Sequence, residues 1–205
     1  TEGEVEFTAR ILDAEGGVAK TFEARVPVRA GEAQVCSLTF PWKDPKLWDV
    51  DSPHLYTLQL SAQGAGLDDE YPQRFGFREF WIEGRNFILN GIPIRLRPML
   101  PEEPFAIAEI DGVIDGMRSR GFNASQMWPT DHDKRGNAFQ HREVFAERAS
   151  EKGWLVIGSL LSMSPYLVDT KYQFIWNAAK RDAWRKRMET DMRRYRNYPS
   201  IIIWG

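Results

Sequence analysis

The side chains of this sequence that could do chemistry are few and dispersed. Asp131-His132-Asp133 sets an imidazole between two carboxylates, a set able to hydrogen-bond hydroxyl groups or, in principle, to ligate a metal. Adjacent residues project in diverging directions, whereas a metal needs convergent donors at fixed distances. No metal site is expected there, and no cofactor anywhere. Glu102, Glu103 and Glu109 fall close together without a spacing that marks an acid–base pair. His54 and His141 stand in surface-like contexts and take no role. Cys36 is the one cysteine, which excludes an intrachain disulfide and any centre built on several thiolates. Eight Trp and 13% aromatic residues suit a carbohydrate-binding protein, because flat rings stack on the C–H faces of pyranosides. Trp is also a large core residue, and packing accounts for most of the eight as well.

Charge narrows the partners. Lys and Arg number 27 against 29 Asp and Glu, a net charge of -2, so no cationic excess exists to hold a phosphate backbone and nucleic acid is not an expected partner. The basic stretch from Lys180 to Arg196 is interrupted by Asp182, Glu189 and Asp191 and reads as the solvated face of a helix. No apolar run is long enough to span a bilayer. The opening Thr1-Glu2-Gly3-Glu4 has neither the charged nor the apolar region of a signal peptide.

The elements that must position such residues change character along the chain. Val5–Ile11, Lys20–Val28, Gln34–Phe40 and Leu55–Leu60 alternate apolar with polar residues, and extended character resumes over Gln73–Ile82. Asp13–Gly17 and Gln63–Asp69 supply turn residues between them. Short alternating strands with no helix between them predict an antiparallel sandwich. Beyond Phe87 strand and helix alternate: strands over Ile92–Arg97, Phe122–Trp128, Trp154–Ser159 and Ser200–Trp204, with helices over Ala106–Arg120, Arg142–Lys152 and Phe174–Tyr195. That order predicts a parallel sheet with right-handed crossovers. A complete (β/α)₈ barrel takes roughly 250 residues, so the pattern alone leaves open a small α/β sheet or part of a barrel.

A family resemblance decides between them. Leu47-Trp48-Asp49-Val50-Asp51-Ser52-Pro53-His54-Leu55-Tyr56 and Arg74-Phe75-Gly76-Phe77-Arg78-Glu79 resemble segments of the immunoglobulin-like module of glycoside hydrolase family 2. Phe87–Ile94 resembles the hairpin that opens its catalytic barrel, Gly121-Phe122-Asn123 the start of the second barrel strand, Ala149–Val156 the approach to the third, and Arg196–Trp204 the run into the fourth. The resemblance implies a multidomain β plus α/β chain: an immunoglobulin-like β-sandwich over 1–82, then over 83–205 the N-terminal half of a (β/α)₈ TIM barrel, about four strands and three helices. The implied parent activity is retaining hydrolysis of a β-glycoside by paired glutamates. Both glutamate positions of the family lie beyond Gly205, so the chain alone is expected to be inactive.

Barrel sites lie at the C-terminal ends of the strands. The resemblance therefore nominates Arg97 after the first strand, Gln126 and Trp128 in the second, Asp131 and His132 beyond it, Ser159 closing the third and Trp204 the fourth. The two Trp would be sugar platforms or barrel packing; Asp131 and His132 would bind hydroxyls or sit in a solvated loop. Where relatives carry Arg three residues after the Asn, this chain has Gln126, and Pro98–Pro101 replaces a usual His-bearing segment. Familiar sugar specificities are therefore not carried over. The implied partner is an oligo- or polysaccharide, together with the remainder of the barrel or a self-associating copy; the implied location is periplasmic or extracellular. The alternative is a non-catalytic glycan-binding relative or scaffold module.

Overall fold

The computed structural model describes residues 3–29, 31, 33–101, 106–127, 142–158 and 177–204. The polypeptide divides into two compact units, Thr1–Leu47 with His54–Phe77, and Trp48–Pro53 with Arg78–Gly205.

The first unit is built on a four-stranded antiparallel sheet in the order β2-β1-β3-β4, with β1 at Gly3–Leu12, β2 at Val18–Val28, β3 at Tyr56–Gly64 and β4 at Leu67–Phe75. Alternation places Val5, Phe7, Ala9 and Ile11 on one face, in register with Val26, Ala24 and Phe22 of β2 and with Ala62, Leu60 and Leu58 of β3. Pro27 can neither donate to a ladder nor sit between two strands, and it falls on the edge strand β2. Asp13 closes the β1–β2 turn by accepting the Gly17 amide on Oδ1 at 2.6 Å. The β3–β4 hairpin turns on Ala65-Gly66, both at positive φ, the geometry of a two-residue turn.

The expected strand over Gln34–Phe40 does not form: that segment makes no ladder, and Val35 is 98% exposed. Alternation satisfies the strand pattern, but it does not by itself create ladder bonds, and the segment pairs with neither edge strand of the sheet, β2 or β4. Phe40 instead stacks on the Phe22 ring at 4.6 Å, and Trp42 packs edge-on against Tyr56 and Phe77.

In the second unit β5 (Phe80–Glu83), β6 (Asn86–Leu89) and β7 (Ile92–Ile94) form a small antiparallel sheet. Asn90 and Gly91, at φ 51° and 83°, make the two-residue turn between β6 and β7 that the sequence predicts. This pairing corrects the expected first parallel strand. The run Ile92–Arg97 is claimed by the hairpin as far as Ile94, and the strand beside the next parallel one is β8, Pro98–Met99. With β9 (Ala124–Met127), β10 (Leu155–Gly158) and β11 (Ile201–Trp204), it makes a parallel sheet whose spatial order follows the chain.

Helices α1 (Ile110–Ser119), α2 (Arg142–Glu151) and α3 (Ala178–Tyr195) alternate with these strands. Ile110, Ile114 and Met117 recur at helical spacing on α1 and meet Phe145, Ala146 and Ala149 of α2, Tyr195 of α3, and Met127, Val156 and Ile201 of the sheet in one core. The rest of α3 is largely exposed, with Trp184, Met188 and Asp191 half-buried on the stripe that leads to Tyr195. Asn177 caps α3 by accepting the Lys180 amide at 3.0 Å.

Between α1 and α2, Arg148 donates through Nε to Asp111 Oδ1 at 2.9 Å and through its terminal nitrogens to Asp111 and Glu151. The hydrogen bond from Arg148, aided by its charge, holds the Asp111 carboxyl below the ordinary carboxylate range. A lowered folded-state pKa stabilises the protein above the unfolded value, about 4, and the gain is lost as pH falls through the folded value. Asp111→Asn should cost about 0.2–1 kcal/mol at neutral pH, as expected of an exposed pair, and the difference should vanish in acid when urea midpoints are compared. Gly153 sits at φ 63°, and a Cβ there would stand 2.2 Å from the Val50 carbonyl oxygen; Gly84 has φ 60° in open space. Gly153→Ala should lower equilibrium stability by at least about 2 kcal/mol, combining strain and overlap. Gly84→Ala should cost about 1–2 kcal/mol through strain alone. Equal losses would contradict the close approach.

Candidate functional site

Parallel strands deliver their C-terminal ends to one rim, here Met99, Met127, Gly158 and Trp204. Register and alternation sort the side chains below it. Ser125 and Met127 share a face with Val156 and Ile201, and this face carries the helices. Ala124, Gln126, Leu155 and Ile157 share the other. Ala124 and Leu155 are buried at its base, and Gln126 and Ile157 are half-buried above them, nearer the rim. A carboxamide there offers one acceptor and two donors, enough to read a hydroxyl.

The nominated residues fall in different places. Gln126 lies in β9 on the helix-free face, in register with Ile157. Trp204 ends β11 in register with Gly158, and its ring packs against the helix-side core. Arg97, expected beyond the first strand, instead precedes β8. Its amide donates to Asn123 Oδ1 at 2.7 Å and its Nε to the Gly121 carbonyl at 2.5 Å. It therefore stands at the N-terminal end of the sheet, and the reason for placing it at the substrate rim lapses. Trp128, Asp131, His132 and Ser159 lie outside the described residues, as do Glu102 and Glu103. Among the described residues no group of His, Cys, Asp and Glu is arranged to hold a metal.

Two cavities are lined by the described residues of this unit. One of about 360 Å³ opens at the N-terminal ends of the strands beside Arg95, Arg97, Arg118, Phe122 and Asn123. The other, about 390 Å³, lies between Met99 and the Gly112, Gly116 and Met117 side of α1.

Sequence reasoning passed over the residues that fix the sheet from beneath. Trp48 is fully buried and its Nε1–H donates to the Ser150 carbonyl at 2.7 Å. Ser150 Oγ lies 2.9 Å from Ser200 Oγ, and both hydroxyls reach the Ala146 carbonyl, at 2.8 and 3.1 Å. Asn90 Nδ2 donates to the Trp48 carbonyl at 2.9 Å and to Asp49 Oδ2 at 3.0 Å, while its Oδ1 accepts the Glu79 amide. Asn123 bridges the hairpin to β9, its Nδ2 donating to the Arg95 carbonyl at 3.0 Å. Arg78 donates to the carbonyls of Pro199, at 2.6 Å, and Ile201. The signal was present: each of these residues except Ala146 falls within, or one residue from, a segment that carried the family resemblance.

An antiparallel β unit followed by a parallel α/β sheet defines a multidomain β plus α/β protein. Residues 1–78 match the model for glycosyl hydrolases family 2. The chain is 30% identical over 169 residues to a beta-galactosidase of Thermoanaerobacterium thermosulfurigenes, covering 80% of this chain and 21% of that protein. It is 26% identical over 216 residues to a beta-galactosidase of Pseudoalteromonas haloplanktis, covering 97% of this chain and 19% of that one. The solved structure of Bacteroides uniformis beta-glucuronidase 2, bound covalently to cyclophellitol-6-carboxylate aziridine, superposes on all of this chain with a TM-score of 0.74, over 24% of its own length, at 21% identity; that likeness speaks to the fold. The family match over residues 1–78, the relatives and the structural neighbour together support a fragment of a family 2 glycosyl hydrolase, and the chain spans about a fifth of the length of these curated relatives.

Trp48→Phe keeps most of the buried area and removes the donor to Ser150. It should cost about 1–3 kcal/mol, read from urea midpoints, and a neutral result would mean that the carbonyl finds another donor.

Proposed function

We propose that this chain is a segment of a retaining β-glycosidase, an immunoglobulin-like sandwich over 1–82 leading into the N-terminal half of a (β/α)₈ barrel over 83–205, and that it contributes part of the carbohydrate-binding wall. One observation carries this reading: four parallel strands follow one another in chain order, and the described helices pack on a single face. An open doubly wound sheet reverses strand order and carries helices on both faces. A sheet that keeps its order, with crossovers on one side, curves toward closure. The helix-free face then becomes the interior, and Gln126 the described side chain best placed to meet a sugar hydroxyl. Trp128, Asp131 and His132 belong to the same proposed rim.

Relatives named as beta-galactosidases, and a structural neighbour named as a beta-glucuronidase, favour a β-linked hexoside as substrate class. In a retaining site two carboxyl groups stand about 5–5.5 Å apart, one attacking the anomeric carbon while the other protonates the leaving oxygen. The resemblance puts both glutamates outside this chain. The wall described here would bind and orient the sugar without breaking the bond.

The test uses chromogenic aryl β-galactoside and β-glucuronide. The 205-residue chain alone should release no aglycone above background; a protein of the relatives' length that includes it should turn over one of them. In that protein Gln126→Ala should raise KM or lower kcat/KM by about 10-fold, the worth of one hydrogen bond of about 1.4 kcal/mol to substrate. Turnover by the isolated chain, or indifference of the longer protein to both glycosides, would overturn the proposal.

A further inference from the structure

Strand β11 has one ladder neighbour among the described residues, β10, and the pairing shifts register between Val156 and Ile157. Four residues with one irregular ladder leave the height of the strand weakly fixed. The carbonyl of Ser200 points toward β10, where it accepts the Val156 amide at 2.8 Å. Carbonyls alternate in direction along a strand, so that of Ile201, the first residue of β11, points to the opposite side, the open edge. Pro199 lies in the turn before the strand, closed by the Ile201 amide on the Tyr198 carbonyl at 3.2 Å. Arg78 occupies that edge, with Nε on Pro199 O at 2.6 Å and a terminal nitrogen on Ile201 O.

A guanidinium presents its N–H groups in a rigid plane, and two carbonyls spaced by one residue match that fork. The group is largely withdrawn from solvent, and burial lowers its pKa from the ordinary arginine value. A charge so placed is held by its hydrogen bonds, and charge-assisted bonds are roughly twice as strong as neutral ones. From the helix side Ser200 is pinned by the Ser150 hydroxyl. The start of β11 is thus gripped on both flanks, and any further strand on the open side can pair only beyond Ile201.

We propose that Arg78 is a positioning residue: it stands in for ladder donors at the open edge of β11, sets the height of that strand, and so places the group that follows Trp204 at the catalytic rim. This rests on the glycosidase reading above, together with the family resemblance, which implies that the acid/base glutamate follows the fourth barrel strand, here β11. Arg78 touches no substrate and acts through the backbone it holds. Misplacement of a reacting group by about 1 Å costs on the order of 100-fold in rate, so the residue matters far beyond its own two hydrogen bonds.

Arg78→Met and Arg78→Lys in the protein of full family length test it, with kcat, KM and amide deuterium uptake as readouts. Arg78→Met should lower kcat by about 10- to 100-fold with KM changed by less than about 3-fold. Uptake at Ile201–Trp204 should rise while that of α1 stays as in the parent. Arg78→Lys keeps the charge and one donor head, and should recover part of kcat and part of the protection; it also serves if the Met variant does not fold. Unchanged kcat and uptake in either variant, or uptake rising equally in α1 and β11, would overturn the proposal. If the unsubstituted protein cleaves no glycoside, the glycosidase reading fails with it, and exchange at β11 alone decides whether Arg78 sets the strand.

Discussion

A tryptophan wholly withdrawn from water must still satisfy its indole N–H, and Trp48 does so on the carbonyl of Ser150. That carbonyl is one of the last in α2, a position where no amide further along the helix is available to it. The indole therefore completes the end of a helix more than a hundred residues away in sequence. From this bond the surroundings follow. Ser150 turns its hydroxyl to Ser200 and so to the root of β11. Gly153 must pass the Val50 carbonyl, which leaves no room for a Cβ. Asn90 secures the same segment from its hairpin turn by holding the Trp48 carbonyl. A short excursion from the sheet-forming half of the sequence thus settles where α2 stops and where two parallel strands begin.

What was readable in the sequence divides along physical lines. Helices α1 and α2 were legible because each has an apolar stripe and a glycine stop, at Gly121 and Gly153, both at positive φ. The Asn90-Gly91 turn was legible because few residue pairs accept two positive φ angles. Gln34–Phe40 was misread because alternation reports the faces of one segment and says nothing of whether a neighbouring strand pairs with it. Ile92–Arg97 was misassigned for a related reason. A single apolar run can serve a hairpin or a parallel ladder, and the adjacent turn recruited its first residues while Pro98–Met99 supplied the ladder. Arg97 moved with that correction to the other end of the sheet.

The site itself was less legible than the fold. Gln126 could be placed because strand alternation fixes its face once the register is known. Trp204 could not, since a ring at a strand tip turns inward or outward according to the neighbour, and Gly158 beside it leaves space toward the helices. The supporting residues escaped notice because they act through main-chain carbonyls. Nothing in a sequence marks the acceptor of a buried indole or guanidinium; only the fold brings Trp48 to Ser150 or Arg78 to Pro199 and Ile201.

The parallel sheet adds its strands in the order in which they are synthesised, so each can dock on its predecessor as it leaves the ribosome. The bonds that lock it behave otherwise. Trp48 to Ser150 spans 102 residues and Arg78 to Ile201 spans 123, and closing loops of that length costs entropy before any contact rewards it. Trp48 therefore waits, solvated, until Ser150 has emerged, and Arg78 until Ile201 has. During that interval the indole is an adhesive spot for chaperones or for other nascent chains.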